Sequence, residues 1–186
     1  MKYIKPNNPH LFEAYCSIIY HLLIEDVPRQ YFESKFKRPY NPDKHKFVFQ
    51  SVGNRIMLSA DGKTRLSCIH LGLKRSFAGN LTKCIGNKRY PYLYKILLDL
   101  HRDCFPFIAF NQILINKNNI FKPHKDSNNI KSEILVFSLG NFSGDLHIEN
   151  KEYDTCMRPL LFNGKNLEHS VPFIEGTRYS ILFYMI

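Results

Sequence analysis

Residues 121–130 read FKPHKDSNNI, a polar stretch between two apolar runs, IAFNQILIN (108–116) and EILVFSLG (133–140). Both flanks are rich in β-branched and aromatic residues and read as core strands. A turn between two such strands needs only the asparagines, whose side chains bond their own backbone and tolerate left-handed conformations. His124 and Asp126 are surplus to that task. In extended backbone, residues two apart project to the same side. One short segment therefore presents an imidazole and a carboxylate to a single point. Alone, the pair is a weak signal, because an exposed turn histidine and an Asx-turn aspartate satisfy it equally well.

Outward from this stretch, everything after Phe107 alternates strand and turn. The apolar runs are FIAFNQILIN, EILVFSLG, DLHIEN, RPLLFNG, HSVPF and RYSILFYMI, and the turns between them are KNN, SNN, NFSG, NGKN and EGT. Upstream, Pro9–Ile24 carries apolar residues at helical spacing (Leu11, Phe12, Tyr15, Ile18, Ile19, Leu22, Leu23). A second helix is predicted over Pro91–Arg102, with proline at its first position. Between them, residues 25–46 form a basic, aromatic segment that Pro28, Pro39 and Pro42 keep from being a long helix. Short strands follow at FVFQS, RIMLS and LSCIHL, with ADGK as a hairpin turn. Helices followed by many short strands predict an α+β fold, a jelly roll with N-terminal helices packed on one sheet. At 186 residues the chain is one domain. Residues 1–106 are expected to supply helical and strand support and a lid, and 107–186 the core.

Net charge is +10, from 26 Lys and Arg against 16 Asp and Glu, which points to a polyanionic partner, nucleic acid first. A basic lid built on Arg29, Lys35, Lys37 and Arg38 suits phosphate contacts, although charge runs are also ordinary solvated surface. Five cysteines, odd in number and without a CxxC pair, argue against a disulfide framework or zinc ribbon. They fit a reducing intracellular compartment, cytoplasm or nucleus, and a viral or phage source is compatible with so short a chain. No secretory signal or membrane-length apolar run is visible, so no membrane partner is expected, and monomer is the default.

The weak pair at 124 and 126 gains meaning from what lies downstream. His169 follows a turn in NLEHSVPF, and Arg178 and Ser180 stand two apart in the last strand. Two histidines and one carboxylate compose the facial triad that holds Fe(II) and leaves three coordination positions open. A keto acid chelating that iron has a far carboxylate to anchor. An arginine grips such a group bidentately at any physiological pH, and a neighbouring hydroxyl adds a hydrogen bond. The ordered set is far more demanding than any member.

In this order and spacing the residues resemble the 2-oxoglutarate/Fe(II)-dependent dioxygenase superfamily, whose fold is the double-stranded β-helix. The likeness covers Phe107 to the C-terminus. It implies that His124, Asp126 and His169 bind Fe(II), that Arg178 and Ser180 bind the 5-carboxylate of 2-oxoglutarate, and that O₂ is the second co-substrate. Within the superfamily, FNQILINKNNIFKPHKDSNN most resembles the TET/JBP nucleic-acid pyrimidine oxygenases, in which asparagine follows the HxD pair. The AlkB branch is second, because RYSILFYMI lacks the second arginine of that branch. This resemblance implies hydroxylation of a nucleobase, a 5-methylpyrimidine, in DNA more than RNA. The base would be flipped out of any duplex to reach the iron.

Asn128 and Asn129 are candidate substrate contacts, with a plain turn role as the alternative. Asn111 and Asn116 have opposite parity on one strand, so one of them faces the pocket; Asn116 is the candidate co-substrate contact. His147 is the rival ligand but alternates with Leu146 and Ile148 as a surface or second-layer histidine. His21, His45, His70 and His101 have no partner at ligand spacing and read as structural. Two other functions remain open: hydroxylation of a protein side chain or small molecule by the same chemistry, and a non-enzymatic jelly-roll binding module.

Overall fold

The computed structural model describes residues 1–26, 68–76, 78–126 and 133–186. Two antiparallel sheets face each other. Strands β1 (Lys2–Tyr3), β2 (Cys68–Arg75), β3 (Leu81–Lys83), β4 (Gln112–Lys117), β6 (Glu133–Ser143), β9 (Leu160–Asn163) and β11 (Glu175–Tyr184) make the larger, in the order β1-β9-β6-β11-β4-β2-β3. Strands β5 (Phe121–His124), β7 (Leu146–Ile148), β8 (Lys151–Tyr153) and β10 (His169–Val171) make the smaller, in the order β5-β10-β7-β8. The α+β jelly roll with helices on one sheet is the architecture found. Among the described residues, three strands of the large sheet come from the first 106 residues.

Among the described residues, two long helices cover the outer face of the large sheet. Helix α1 (Pro9–His21) opens on Asn8, whose side chain accepts from the Leu11 amide, and runs into a π-helical turn over Leu22–Asp26. Helix α3 (Pro91–Cys104) follows a short helix α2 (Gly86–Arg89). Phe12, Cys16, Ile19 and Leu23 are buried on the first, and Leu93, Leu97, Leu100 and Cys104 on the second. Both sets have the same i, i+4, i+7, i+11 spacing. A cap contributes about 1 kcal/mol, whereas burying one large apolar side chain contributes about 1.5–3 kcal/mol. Packing against the sheet therefore decides where α1 sits. Phe12 makes edge contacts with Phe137 of β6 and Phe105 after α3, with centroids 5.3 and 5.6 Å apart.

Strand parity sorts the two faces of the large sheet. Leu135, Phe137 and Leu139 of β6 and Tyr179, Ile181 and Phe183 of β11 join the helix-side core. Ile134 and Val136, with Leu182 and Tyr184, join a second core between the sheets, with Leu146, Ile148, Phe162 and Val171. Ser138, Arg178 and Ser180 have this second parity, so the chain points its polar residues into the space between the sheets.

Several local expectations differ. Phe121–His124 is not turn but strand β5 of the smaller sheet, because its residues pair with β10. NFSG and EGT, expected as turns from their polar composition, are largely strand: Asn141–Ser143 pairs with Glu175–Thr177 and extends the β6–β11 ladder. Glycine permits it. A Cβ on Gly140 would stand 2.1 Å from the Thr177 carbonyl oxygen, and one on Gly176 2.4 Å from that of Asn141. Both glycines have positive φ, so they act here as close-approach residues rather than chain reversals. Residues 107–111 are not strand; the Ile108 amide donates to the Phe105 carbonyl in a turn that ends α3. The FVFQS and RIMLS strands, the ADGK turn and the basic lid fall outside the described residues.

Candidate metal centre

His124 ends β5 and His169 begins β10, and the two are register partners across that antiparallel pair. Asp126, two residues past His124, is pinned by its amide donating to the Gly164 carbonyl at 2.8 Å. Its Oδ1 lies 3.8 Å from His124 Nε2 and its Oδ2 3.5 Å from His169 Nε2. All three donor atoms fall within 4.8 Å of one another. Donors about 2.1 Å from one shared ion stand about 3.0 to 4.2 Å apart, so the carboxylate is at ligand spacing from both rings.

The tautomers are fixed by the backbone. His124 Nδ1 faces the Lys122 carbonyl at 2.7 Å, and His169 Nδ1 the Leu167 carbonyl at 3.1 Å. A carbonyl only accepts, so in each ring Nδ1–H donates and Nε2 carries the lone pair. Both lone pairs point at the Asp126 side of the cluster, the arrangement a metal ligand requires. Burial pushes the His169 pKa down, but the Asp126 carboxylate and the Leu167 carbonyl together push it up, and the net direction is up. Phe162 meets the His169 ring edge-on at 5.1 Å and fixes its plane.

Gly164 completes this corner, and composition gives no hint of it. A Cβ there would meet Ile134 Cδ1 at 2.2 Å and Asp126 Oδ2 at 3.1 Å. A side chain there would press on both Ile134 and the carboxylate.

Arg178 lies in the same inter-sheet space and is 2% exposed. Nε donates to Ser138 Oγ and Nη2 to Thr155 Oγ1, both at 3.1 Å, and the two hydroxyls bond each other at 2.8 Å. The Phe142 ring lies 5.3 Å from the guanidinium carbon. Among the described residues no carboxylate pairs with Arg178 and no acceptor meets Nη1. Burial pushes its pKa down to about 10, with Asp145, Cys156 and Asp154 opposing. A buried charge with only neutral partners is costly and calls for an anion. The Asn118 side chain accepts from the Arg178 amide at 2.7 Å and holds the strand in place.

Ser180 and Asn116 are brought together beside it, with Asn116 Nδ2 donating to Ser180 Oγ at 3.4 Å, and Asn119 donates to Asn116 Oδ1 at 2.9 Å. Asn116 is thus the pocket-facing member of its pair; Asn111 instead bonds the Ile186 backbone. Asn128 and Asn129 fall outside the described residues. His147 stands apart, 3.6 Å from Glu152. Ser138, Thr155, Asn118, Asn119 and Gly164 escaped the sequence reading. Ser138 alone left a trace, as the one hydroxyl in the apolar run Ile134–Leu139. Tyr184 was missed as well; it packs against the core between the sheets, and burial and the Asp126 charge push its pKa up.

No protein-family model and no curated protein matches the sequence. Solved structures do. NgTET1 in complex with 5mC DNA aligns with a TM-score of 0.52 at 16% identity, over 67% of this chain and 62% of that one. The chain thus spans less than two thirds of that protein's length. An oxidoreductase of the 2OG-Fe(II) oxygenase family from Burkholderia pseudomallei aligns at 0.45 and 14%, over 72% of this chain and 73% of that one. A Pseudomonas putida prolyl-4-hydroxylase aligns at 0.43 and 11%, over 91% and 98%. At such identities the first likeness is one of fold. Among the described residues, no helix is long and apolar enough to cross a membrane. With its two facing sheets and flanking helices, the chain has a double-stranded β-helix fold, which it shares with NgTET1.

Proposed function

We propose that the protein is a 2-oxoglutarate- and Fe(II)-dependent dioxygenase that hydroxylates a nucleobase in DNA or RNA, with a 5-methylpyrimidine as the preferred target. The observation that carries the chemistry is the pairing of two features in one inter-sheet space. One is a set of two imidazole Nε2 atoms and a carboxylate at ligand spacing. The other is a buried guanidinium with hydroxyl partners and, among the described residues, no carboxylate at ion-pair distance. The first fits a divalent metal with nitrogen and oxygen preferences, and the second fits the free carboxylate of a dicarboxylic keto acid.

His124, Asp126 and His169 would hold Fe(II), which with 2-oxoglutarate and O₂ supplies the oxidising power to turn a C–H bond into C–OH, releasing succinate and CO₂. The chain's own contribution is positional. The Lys122 and Leu167 carbonyls keep each imidazole in its Nδ1–H form, so both Nε2 atoms stay available. Arg178, held by Ser138 and Thr155, orients the far carboxylate, and its burial keeps water from competing. Asn116 and Ser180 offer polar contacts beside it. The nucleobase assignment draws on the sequence likeness around HxD, the net charge of +10 and the fold shared with NgTET1.

The test has two stages. The protein is first incubated with Fe(II) and 2-oxoglutarate, and succinate is measured; none would end the oxygenase reading. Methylated and unmethylated DNA and RNA are then added, digested and analysed by nucleoside mass spectrometry. A product heavier by one oxygen is expected on a 5-methylpyrimidine. Succinate without any altered nucleoside would shift the substrate to a protein side chain or small molecule.

A further inference from the structure

Twenty-six basic residues face 16 acidic ones along the chain, but they are unevenly spread. Between Leu66 and Leu98 there are six Lys and Arg and no Asp or Glu. Five of the six (Lys74, Arg75, Lys83, Lys88 and Arg89) belong to one unit, the β2–β3 hairpin and helix α2. The hairpin is registered with Leu73 opposite Lys83, Lys74 opposite Thr82 and Arg75 opposite Leu81. Asn87 locks α2 to it, donating to the Gly72 carbonyl at 2.9 Å and accepting from the Gly72 amide at 2.7 Å. A Cβ on Gly86 would stand 2.2 Å from the His70 carbonyl oxygen, so α2 lies directly against β2.

Elsewhere, several surface cations are answered by acids, and those that are not, such as Lys2, Lys5, Lys151 and Lys165, lie in stretches that also carry acidic residues or stand apart from one another. Lys95 and Arg102 pair with Asp99, Arg102 also with Asp103, and Arg158 with Asp154. Lys74, Arg75, Lys83 and Lys88 are exposed, and among the described residues none has a carboxylate partner. Arg75 bonds only the Gly79 carbonyl within its own turn. Lysine on an edge strand commonly blocks sheet-to-sheet aggregation. That role accounts for Lys83 but not for the cations on β2 and α2. It is also at odds with Leu81 and Ile85, which lie 48% and 44% exposed among them. Cations interleaved with exposed aliphatic groups suit a partner with both charged and apolar parts.

The unit is also well placed. Strand β2 pairs with β4, which carries Asn116, and β4 pairs with β11, which carries Arg178. At about 4.8 Å per strand, β3 lies about 14 Å from β11, roughly four base-pair steps of a duplex at about 3.4 Å each.

We infer that the β2–β3 hairpin and α2 form a docking edge for the phosphodiester backbone of the nucleic acid whose base enters the site. Lys74, Lys83 and Lys88 contact phosphates, and Leu81 and Ile85 contact sugars. This rests on the nucleobase reading above, but its test needs no turnover. Binding of a labelled 5-methylcytosine duplex, and of a labelled RNA single strand, is measured by fluorescence anisotropy across a salt series. Lys74→Ala/Lys83→Ala/Lys88→Ala is compared with a control set on the other sheet and its loop, Lys151→Ala/Lys165→Ala.

For the duplex, each phosphate contact contributes about −0.9 to the slope of log K against log salt, so the triple variant is expected to lose about 2.7 from the slope. A smaller but clear loss is expected on RNA if that is the strand bound. The control set should bind as the unaltered protein does. The inference is overturned if the triple variant keeps the full slope on both probes, if the control set weakens binding equally, or if the unaltered protein binds neither probe. Fe(II)-dependent succinate formation, measured alongside without nucleic acid, should be unchanged in the triple variant. Its absence from the unaltered protein would instead mark failure of the oxygenase reading.

Discussion

His124 and His169 face each other directly across the β5–β10 pair, ring centroids 4.3 Å apart, and each turns Nδ1 to the carbonyl two residues back along the chain, Lys122 within β5 and Leu167 just before β10. One ladder thus sets both the spacing of the two imidazoles and the identity of the nitrogen each offers. Asp126 then needs only to follow His124 by two residues to meet both.

Removing a ligand should therefore abolish metal binding without unfolding the sheet. His124→Ala, Asp126→Ala and His169→Ala are each expected to weaken Fe(II) or Mn(II) binding by more than about 100-fold, since even groups that only orient ligands are worth about 10–100-fold. Titration calorimetry measures it, and circular dichroism checks the fold. A variant that binds metal normally removes its residue from the ligand set.

Gly164→Ala tests the corner from the other side. The new methyl would press on Ile134 and on Asp126 Oδ2 without touching a ligand covalently. Metal affinity should fall about 10–100-fold, in the range of an orienting group. Gly164→Ala/Ile134→Val, which opens space on the Ile134 side, should recover part of it. Unchanged affinity in the single variant would mean the carboxylate tolerates displacement.

Much of this site was legible because its residues break local expectations. A histidine and an aspartate at i, i+2 exceed what a turn needs, and an arginine in an apolar final strand has no place in a plain core. The two long helices were legible from periodicity, with a leading proline for the second, whereas the short α2 was not. What was not legible depends on contacts distant in sequence. Thr155 reaches Arg178 across 23 residues, and Gly164 matters because Asp126 lies against it. NFSG and EGT misled because polar segments with glycine signal reversal, while here Gly140, just before NFSG, and Gly176 admit two strands too close for a Cβ.

Acid should destabilise the fold through a histidine far from the metal. Burial lowers the His101 pKa, opposed by the Ile108 carbonyl, and the ring packs on Phe110 and Phe183. As pH falls through about 6.5, the unfolded chain takes up a proton that folded His101 refuses, so stability drops until the folded pKa is reached. His70, also lowered, adds in the same direction. His101→Phe should flatten the loss of Tm between pH 7 and 5, while lowering Tm at pH 7 through the lost hydrogen bond. An unchanged slope would assign the acid sensitivity elsewhere.

Arg178 offers the sharpest separation of function from stability. Its guanidinium is buried against two hydroxyls and an aromatic ring, and burial pulls its pKa down to about 10. Without an anion the charge is a cost to the fold, and replacing such a group by an apolar one of similar volume is often neutral or stabilising. Arg178→Met should therefore leave the Tm of the protein without co-substrate unchanged or raised. The same change should erase the rise in Tm that 2-oxoglutarate produces in the unaltered protein, because a charge-assisted bond worth about 1.5–3 kcal/mol is lost. That corresponds to about 10- to 150-fold in affinity. Arg178→Lys keeps the charge but not the planar fork, so it should recover only part of the affinity. Differential scanning fluorimetry with and without 2-oxoglutarate, at fixed Mn(II), reads all three. If Arg178→Met unfolds the protein, the guanidinium is a structural post. If it retains the full ligand-induced shift, the carboxylate is held by another group.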